Sequence, residues 1–441
     1  MSELLLADHT LIDGRFVRDV AVLVGDDGKI TAVGPEVSLQ VPDGTPRIAL
    51  SRKALLPGCV NAHNHSFQSL LRGIADDKAF LVWRDQALYR YAPRLGREGT
   101  YVGALFAFGE MLLRGVTTVC DFFYLHDDSN DGAEAVIRAA RDVGIRLTLA
   151  RTMYDWDGAP KLFRETVADA TRRTRELHAA YRDHPLVRVV PAPHSPHAAS
   201  SEMVVAGAAL AEELDTFFHM HVAEERFEVE ETLANYGQTP VRWLESLGVL
   251  SPRACLVHCC HVDQGEVVVM GERGVNLLYN PNSNMFLGDG ITPLTELLEV
   301  GVRVALGTDG GCSNNRVSVF DEMRAAALLQ KVRHQNGTAL GAEAVFEMGT
   351  RNGALLTGWD AGIISPGRLA DLITVDLDDL STLPHLDLLK NVVYSMESTA
   401  LSDVMVGGRW VVQGGILQTM STREIGRRVA ELTRDWAVAG S

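Results

Sequence analysis

The sequence predicts a (β/α)8 barrel carrying a small β-sandwich built from both chain ends. Three observations lead there. Short apolar runs alternate with helical segments through the middle, β-rich texture is confined to the termini, and polar residues gather where the apolar runs stop. At 441 residues the chain is too long for one small core. The pattern divides it into an N-terminal sandwich part at 1–56, a barrel at 57–360, and a return to the sandwich with a final helix at 361–441.

In order, the first segment offers strands at Val20 to Val24 and Ile30 to Val33, separated by turn chemistry at Ile12-Asp13-Gly14, Asp26-Asp27-Gly28 and Asp43-Gly44. The middle has apolar runs at Thr117 to Phe123, Ile145 to Ala150, Val187 to Ala192, Thr216 to Val222, Ala254 to His258, Val275 to Tyr279 and Val302 to Gly307. Helical segments such as Ala133 to Val143, Leu162 to Tyr181 and Ser201 to Leu214 intervene. Roughly eight such units in about 300 residues fit a closed barrel. A doubly wound sheet is the competitor, and the G-x-G-x-x-G turn it would carry after a strand is missing. The β texture returns at Leu369 to Val375, at Asn391 to Tyr394, and at Val404 to Val412 with Gly407-Gly408 inside it. Thr422 to Ala439 has helical spacing, with Ile425, Val429, Leu432 and Trp436 on one side.

Hydrophobic residues at 46% and charged residues at 22% describe an ordinary globular chain. No apolar run approaches the ~20 residues of a membrane helix. The start, Met1-Ser2-Glu3-Leu4, lacks a basic secretory segment, so a cytoplasmic location is expected. The formal charge of −16 is spread along the chain; it repels phosphate backbones and argues against a nucleic-acid partner, leaving a small neutral or cationic substrate. The six cysteines form no C-x-x-C pair and read as reduced and buried. The adjacent Cys259 and Cys260 offer a soft-metal site in principle, but are read as neighbours on a strand pointing to opposite faces.

The chemistry lies at the strand ends. His63-Asn64-His65 follows the run from Leu55, and two imidazoles at i and i+2 on an extended segment face the same way. His221-Val222-Ala223-Glu224, His258, and Thr308-Asp309 each close a further run. One strand-end histidine is usually a hydrogen-bonded core residue. Four coincidences at the barrel's C-terminal face reverse that reading. Three imidazoles and one carboxylate suit a borderline cation such as zinc and leave a position for water.

These motifs resemble the amidohydrolase superfamily, in particular its branch of chlorohydrolases and aminohydrolases acting on triazines, purines, pterins and adenosine-like nucleosides. The resemblance spans nearly the whole chain. It rests on Pro57-Gly58-Cys59-Val60-Asn61-Ala62-His63-Asn64-His65, Pro193-His194-Ser195-Pro196, His219-Met220-His221-Val222-Ala223-Glu224, His258 with His261, Asn280-Pro281-Asn282-Ser283-Asn284, Gly307-Thr308-Asp309-Gly310, and Gly367-Arg368-Leu369-Ala370-Asp371-Leu372. It implies a distorted TIM barrel with one divalent metal, zinc or else iron(II), on His63, His65, His221 and Asp309. Glu224 would be the proton shuttle and His258 an electrostatic partner, so that Glu224, His258 and Asp309 form the catalytic set. His219 is read as structural and His261 as orienting its loop. Binuclear relatives carry a lysine near the end of strand 4, which here reads Val189-Val190-Pro191-Ala192-Pro193-His194, so a single ion is expected.

The implied reaction is deamination of a small nitrogen heterocycle of purine, pterin or triazine type by metal-bound hydroxide. The substrate contacts expected are Gln68, Trp83, Arg84, His194, Asn282 and Leu287, with Arg72, Tyr89 and Met285 nearby. Trp83 has an alternative as a core aromatic, and Arg84 as partner of Asp85. Relatives acting on adenosine-like nucleosides bind ribose with an acid about nine positions beyond the tryptophan. Here that region is Ala92-Pro93, which favours a free heterocycle. Phe67-Gln68, Trp83-Arg84 and Phe123-Tyr124-Leu125-His126 are similar to formimidoylglutamate deiminases, which makes a linear formimino substrate the alternative. Dechlorination or N-dealkylation of triazines is a further one, disfavoured by the retained Glu224. A non-catalytic scaffold is disfavoured by the complete ligand set, which such proteins usually lose. The sandwich and exposed helices leave room for a homo-oligomer whose stoichiometry one sequence does not fix.

Overall fold

Eight parallel strands surround the middle of the described chain: β1 (Cys59–His65), β2 (Val116–Phe123), β3 (Arg146–Met153), β4 (Val187–Pro193), β5 (Phe218–Val222), β6 (Ala254–His258), β7 (Asn276–Tyr279) and β8 (Arg303–Leu306). The structure is a computed structural model and describes residues 2–436. β1 to β4 form one parallel ladder and β5 to β8 another. Asp309–Gly310, just past β8, pairs in parallel with Asn64 and His65 of β1 and closes the ring. Between β4 and β5 the ladder is interrupted, and the backbones are tied there by His221 N–H donating to His194 O at 3.0 Å. This is the distorted (β/α)8 barrel. β2 and β3 are buried along their whole length, as parallel strands covered on both faces must be, so their sequences read as continuous apolar runs.

The helices between strands begin and end on local chemistry. Gln264–Arg273 starts at a reciprocal cap: Glu266 N–H donates to the Asp263 carboxylate at 2.8 Å, and Asp263 N–H to Glu266 at 3.0 Å. Val167–Tyr181 starts later than the sequence pattern suggested, because Thr166 accepts from Asp169 N–H and sets the first turn there.

Both chain ends enter one nine-stranded sheet. Its central strand, Arg47–Pro57, runs parallel to Glu3–Ile12 on one side and antiparallel to Leu372–Asp376 on the other. Arg146, at the start of β3, locks this sheet to the barrel. Its guanidinium donates to Asp371 at 2.7 and 2.9 Å and to Pro185 O at 2.6 Å, while Gly407 N–H reaches the same Asp371 at 2.6 Å. Val404 to Val412 is a hairpin turning at Gly407-Gly408, both with positive φ.

Three expectations change. Asn391 to Tyr394 belongs to a helix, Leu388–Tyr394, because Asp387 caps Lys390 N–H and the buried Leu388, Leu389, Val392 and Val393 recur at helical spacing. Cys259 and Cys260 are buried but follow β6 rather than lying on it; His258 and Cys259 have φ of 70° and 51°, which ends the strand. The final helix spans Thr422–Thr433, with Trp436 packed on Tyr91, and positions 437–439 of the expected stretch lie outside the described residues. Among the described residues no helix is long and apolar enough to cross a membrane.

Candidate metal centre and its cavity

At the C-terminal ends of β1, β5, β6 and β8 the chain gathers its polar side chains. Asp121 of β2, fully buried, shapes the bend after β1 by accepting from Asn64 at 3.0 Å, Ser66 N–H at 2.6 Å and Ser66 Oγ at 2.8 Å. That clamp fixes where His63 and His65 point. Opposite, Gly307 lets the end of β8 approach β1 closely: a Cβ there would lie 2.4 Å from Asn280 Oδ1 and 2.8 Å from His63. Ala223, His258 and Asp309, none of them glycine, adopt φ of 51°, 70° and 58°. Left-handed backbone of this kind is strained, and it concentrates where side chains must be aimed.

Nε2 of His63 and of His65 lie 3.6 and 3.2 Å from Asp309 Oδ1. The nitrogens of His63, His65 and His221 fall within 4.8 Å of one another, as do the donor atoms of Glu224, His258 and Asp309. His65 Nδ1–H donates to Phe122 O at 2.7 Å and His221 Nδ1–H to His194 O at 3.1 Å, which turns both Nε2 lone pairs inward. Phe122 packs its ring against His63, His65 and His221 at 5.4, 5.5 and 4.5 Å. Burial drives His63 down to about 3 and His221 well below the usual imidazole range, so both are neutral electron-pair donors at pH 7. Burial opposes the Asp309 carboxylate, yet His63 and His65 hold it well below its ordinary value. Ser283 Oγ at 2.6 Å and Gly310 N–H at 2.7 Å donate to it as well.

These residues fit a divalent metal ion. Neither ring nitrogen of buried His63 has a hydrogen-bond partner, a costly arrangement for a group held only by protein. Neutral imidazoles beside one ionised carboxylate make the mixed N/O donor set of a borderline cation.

Above this cluster is a cavity bounded by Gln68, Trp83, Arg84, Tyr89, Tyr124, Tyr154, His194 and Leu287, among others. Gln68 donates to Tyr124 OH at 2.8 Å and accepts from the Cys312 thiol at 3.3 Å. Trp83 donates to Cys312 O at 2.9 Å, so it is at once a core aromatic and a wall of the cavity. Arg84 pairs with Asp85 at 2.9 Å and stacks on Tyr89 at 4.7 Å. His194 lies 5.1 Å from His221 in a stacked arrangement and is held neutral by burial.

Three residues expected at or near the substrate, Asn282, Met285 and Arg72, are elsewhere. Asn282 does not bound this cavity; it faces a separate surface hollow with Met285, and both its backbone N–H, at 3.1 Å, and its side chain bond the buried Glu322. Arg72, half-buried, pairs with Glu110 at 2.7 Å over the Phe106 ring and does not bound the cavity. His219, two residues before His221 on β5, sits deep against the Cys120 thiol at 3.4 Å. Sequence reasoning assigned no part to Phe122, Tyr154, Phe163 or His197. Phe122 and Tyr154 stand at strand ends with no polar motif around them, Phe163 lies in a turn well past β3, and His197 directly follows the motif at Pro193 to Pro196.

Comparison with known proteins now bears on this geometry. The profile of the amidohydrolase family matches residues 54–411. The chain belongs to the amidohydrolase family. This amidohydrolase is 36% identical over 426 residues to a 5'-deoxyadenosine deaminase of Methanothermobacter thermautotrophicus, covering 96% of each chain. It is 35% identical over 425 residues to a 5-methylthioadenosine/S-adenosylhomocysteine deaminase of Syntrophobacter fumaroxidans, covering 96% of this chain and 94% of that one. Among solved structures it is similar to an adenosine deaminase from Xanthomonas campestris with bound zinc, at 31% identity and a TM-score of 0.90 over 98% of this chain and 97% of that one. It is also similar to a zinc complex of atrazine chlorohydrolase from Arthrobacter aurescens, at 26% identity and a TM-score of 0.90 over 97% and 99%.

Proposed function

We propose that this amidohydrolase is a zinc-dependent deaminase of a 6-aminopurine compound of the 5'-deoxyadenosine type. The observation that carries this reading is the placement of Glu224. Its carboxyl lies 3.4 Å from His258 Nε2, shares a 4.8 Å cluster with Asp309, and opens onto a cavity walled by aromatic rings. Burial, together with the carboxylates of Asp289 and Asp309, pushes Glu224 well above the usual carboxyl range, which keeps a proton available at neutral pH.

His63, His65, His221 and Asp309 would hold one ion. A single equivalent is expected because no lysine stands at the end of β4 to serve a second. When bound, a zinc ion lets water act as a nucleophile at neutral pH. Asp309 accepts a proton from that water at a carboxylate oxygen. Glu224 delivers a proton from its carboxyl to the ring nitrogen beside the amino-bearing carbon, which makes that carbon more electrophilic. The proton held by Asp309 passes to the amine as the C–N bond breaks and ammonia leaves, and the hydroxyl proton of the tetrahedral carbon returns to Glu224. His258, neutral because burial drives it down to about 4, donates Nε2–H to the oxygen that gains charge at the tetrahedral carbon. His194 and the rings of Trp83, Tyr124 and Tyr154 hold the flat base and exclude water.

The purine assignment follows the deaminase relatives over 96% of the chain. It departs from the free heterocycle that Ala92 suggested. Ala92 is buried and does not bound the cavity, whose lining acids are Glu224 and Asp309, so ribose hydroxyls meet Gln68, Tyr89 and Tyr154 rather than a carboxylate. The second reading, a linear formimino substrate, rests on Arg84 and Tyr124 sharing one cavity wall. Ammonia release from zinc-loaded enzyme decides between them. The panel is 5'-deoxyadenosine, methylthioadenosine, adenine, an aminopterin, an aminotriazine and formimino amino acids. Turnover of the two nucleosides at least ~10-fold above the rest is expected; preference for the formimino compounds, or no ammonia from any purine, overturns the assignment.

A further inference from the structure

Behind His258 stands a row of side chains that the proposed reaction does not use. Asn284 Nδ2 lies 2.9 Å from His258 Nδ1 and 3.0 Å from Asp289 Oδ2. Asp289 in turn faces the carboxyl of Glu225, and burial together with that neighbouring carboxyl pushes Asp289 above its ordinary range. The row is built by local backbone. Pro281–Leu287 ends at Gly288, with φ of 82°, and Asp289 N–H folds back to Asn284 O at 3.0 Å, which places the Asp289 carboxyl against the Asn284 amide. Thr292 Oγ donates to His258 O at 2.8 Å and steadies the strained residue itself.

The amide has one orientation that satisfies its neighbours. Asp289 Oδ2 accepts from the Asn284 amide, and an NH2 group has only donors to offer. His258 Nδ1 is then an acceptor too. The reversed amide would bury an NH2 with no acceptor, whereas the observed one leaves only the Asn284 carbonyl without a partner, the lesser cost. A neutral imidazole that accepts at Nδ1 carries its proton on Nε2. That is the atom facing Glu224 Oε1 at 3.4 Å and Asp309 Oδ2 at 3.9 Å.

We infer that Asn284 is a positioning residue that fixes the His258 tautomer with Nε2–H turned towards the reacting atoms, and that Asp289 fixes Asn284. The inference rests on the proposal that His258 acts on the substrate. An aspartate at position 284 would accept from Nδ1–H and draw the proton to the wrong side of the ring.

The test is the nitrogen spectrum of zinc-loaded enzyme labelled with 15N-histidine, the His258 signals being those lost in His258→Gln. The wild type should show Nε2 protonated and Nδ1 bare. Asn284→Asp should move the proton to Nδ1 and lower kcat by about 100-fold with KM and zinc content little changed, and Asp289→Asn should lower kcat by about 10-fold. A wild-type His258 protonated at Nδ1 overturns the inference, and that result needs no Asn284 or Asp289 variant to fold. So does an Asn284→Asp spectrum identical to wild type. A moved proton with kcat within about 3-fold of wild type upholds the positioning of His258 and overturns the part proposed for it in the reaction.

Discussion

Two groups of buried polar side chains share the barrel strands and are built on opposite terms. Around β3, Arg151 donates to Glu165 at 2.8 and 2.9 Å and to Asn130 at 2.8 Å, and Arg173 reaches the same glutamate at 2.7 Å. Nearly every polar atom there is answered by another from the chain. At the ends of β1, β5, β6 and β8 the opposite holds: His63 and His258 are just as buried, yet their Nε2 atoms make no hydrogen bond, the facing carboxylates of Asp309 and Glu224 standing off at 3.6 and 3.4 Å. A closed network spends its hydrogen bonds on the fold, while an open one keeps them for something that arrives later. The contrast gives each group a distinct failure. Damage to the open cluster should stop turnover and spare stability, and damage to the closed network should do the reverse.

The largest expected effect is at Glu224. Glu224→Gln removes the transferable proton while preserving shape, so kcat should fall by about 10³-fold or more with about one zinc still bound per chain and the melting temperature little changed. Ammonia release with metal analysis on the same sample checks this. Turnover within ~10-fold of wild type would show that another group carries the proton.

Next is Glu165, in the closed network. Glu165→Gln leaves two guanidiniums without their counter-charge, and breaking a buried pair on one side costs roughly 3–5 kcal/mol. Denaturant unfolding should report that loss, while kcat per folded molecule stays within about 3-fold. The pH dependence has a definite sign. Burial works against the Glu165 carboxylate, but His126, Arg151 and Arg173 hold it down to about 2, below its ordinary 4.5. Its contribution is therefore complete above pH 4.5 and is lost as pH falls from there towards 2. The glutamine variant should have a flatter acid limb than wild type over that interval.

The same contrast explains what could be read in advance. Strand-end histidines and Asp309 were legible because a barrel concentrates chemistry at one face, and each of them closes an apolar run. The chain-end sheet was legible from turn residues. Asn391 to Tyr394 was not, because a short apolar run fits strand and helix alike until a cap such as Asp387 is weighed. The closed network was out of reach, since Arg151, Glu165 and Arg173 lie on three separate elements with no periodicity linking them. Phe122 was hidden in another way. Its role is to pack against three imidazoles brought together from two strands, and an apolar residue in an apolar run carries no mark of that.

The smallest effects separate the cavity wall from its surroundings. Tyr89 OH and Tyr154 OH lie 3.2 Å apart at the wall, and burial pushes both phenols above their ordinary range, so both are neutral and offer hydrogen bonds to a substrate. Tyr89→Phe removes one hydroxyl without opening the cavity. A single neutral hydrogen bond is worth about 0.5–1.5 kcal/mol, so KM should rise by roughly 2- to 10-fold with kcat nearly constant. Asn282→Ala is the counterpart from outside the wall. Asn282 was expected to touch substrate, but it bonds Glu322, a buried carboxyl that burial pushes up to about 8. Its loss should lower stability by about 1 kcal/mol and leave kcat/KM unchanged. If instead Asn282→Ala raises KM and Tyr89→Phe does not, the substrate occupies the hollow beside Met285, and the wall of the site has been placed on the wrong side of Pro281–Leu287.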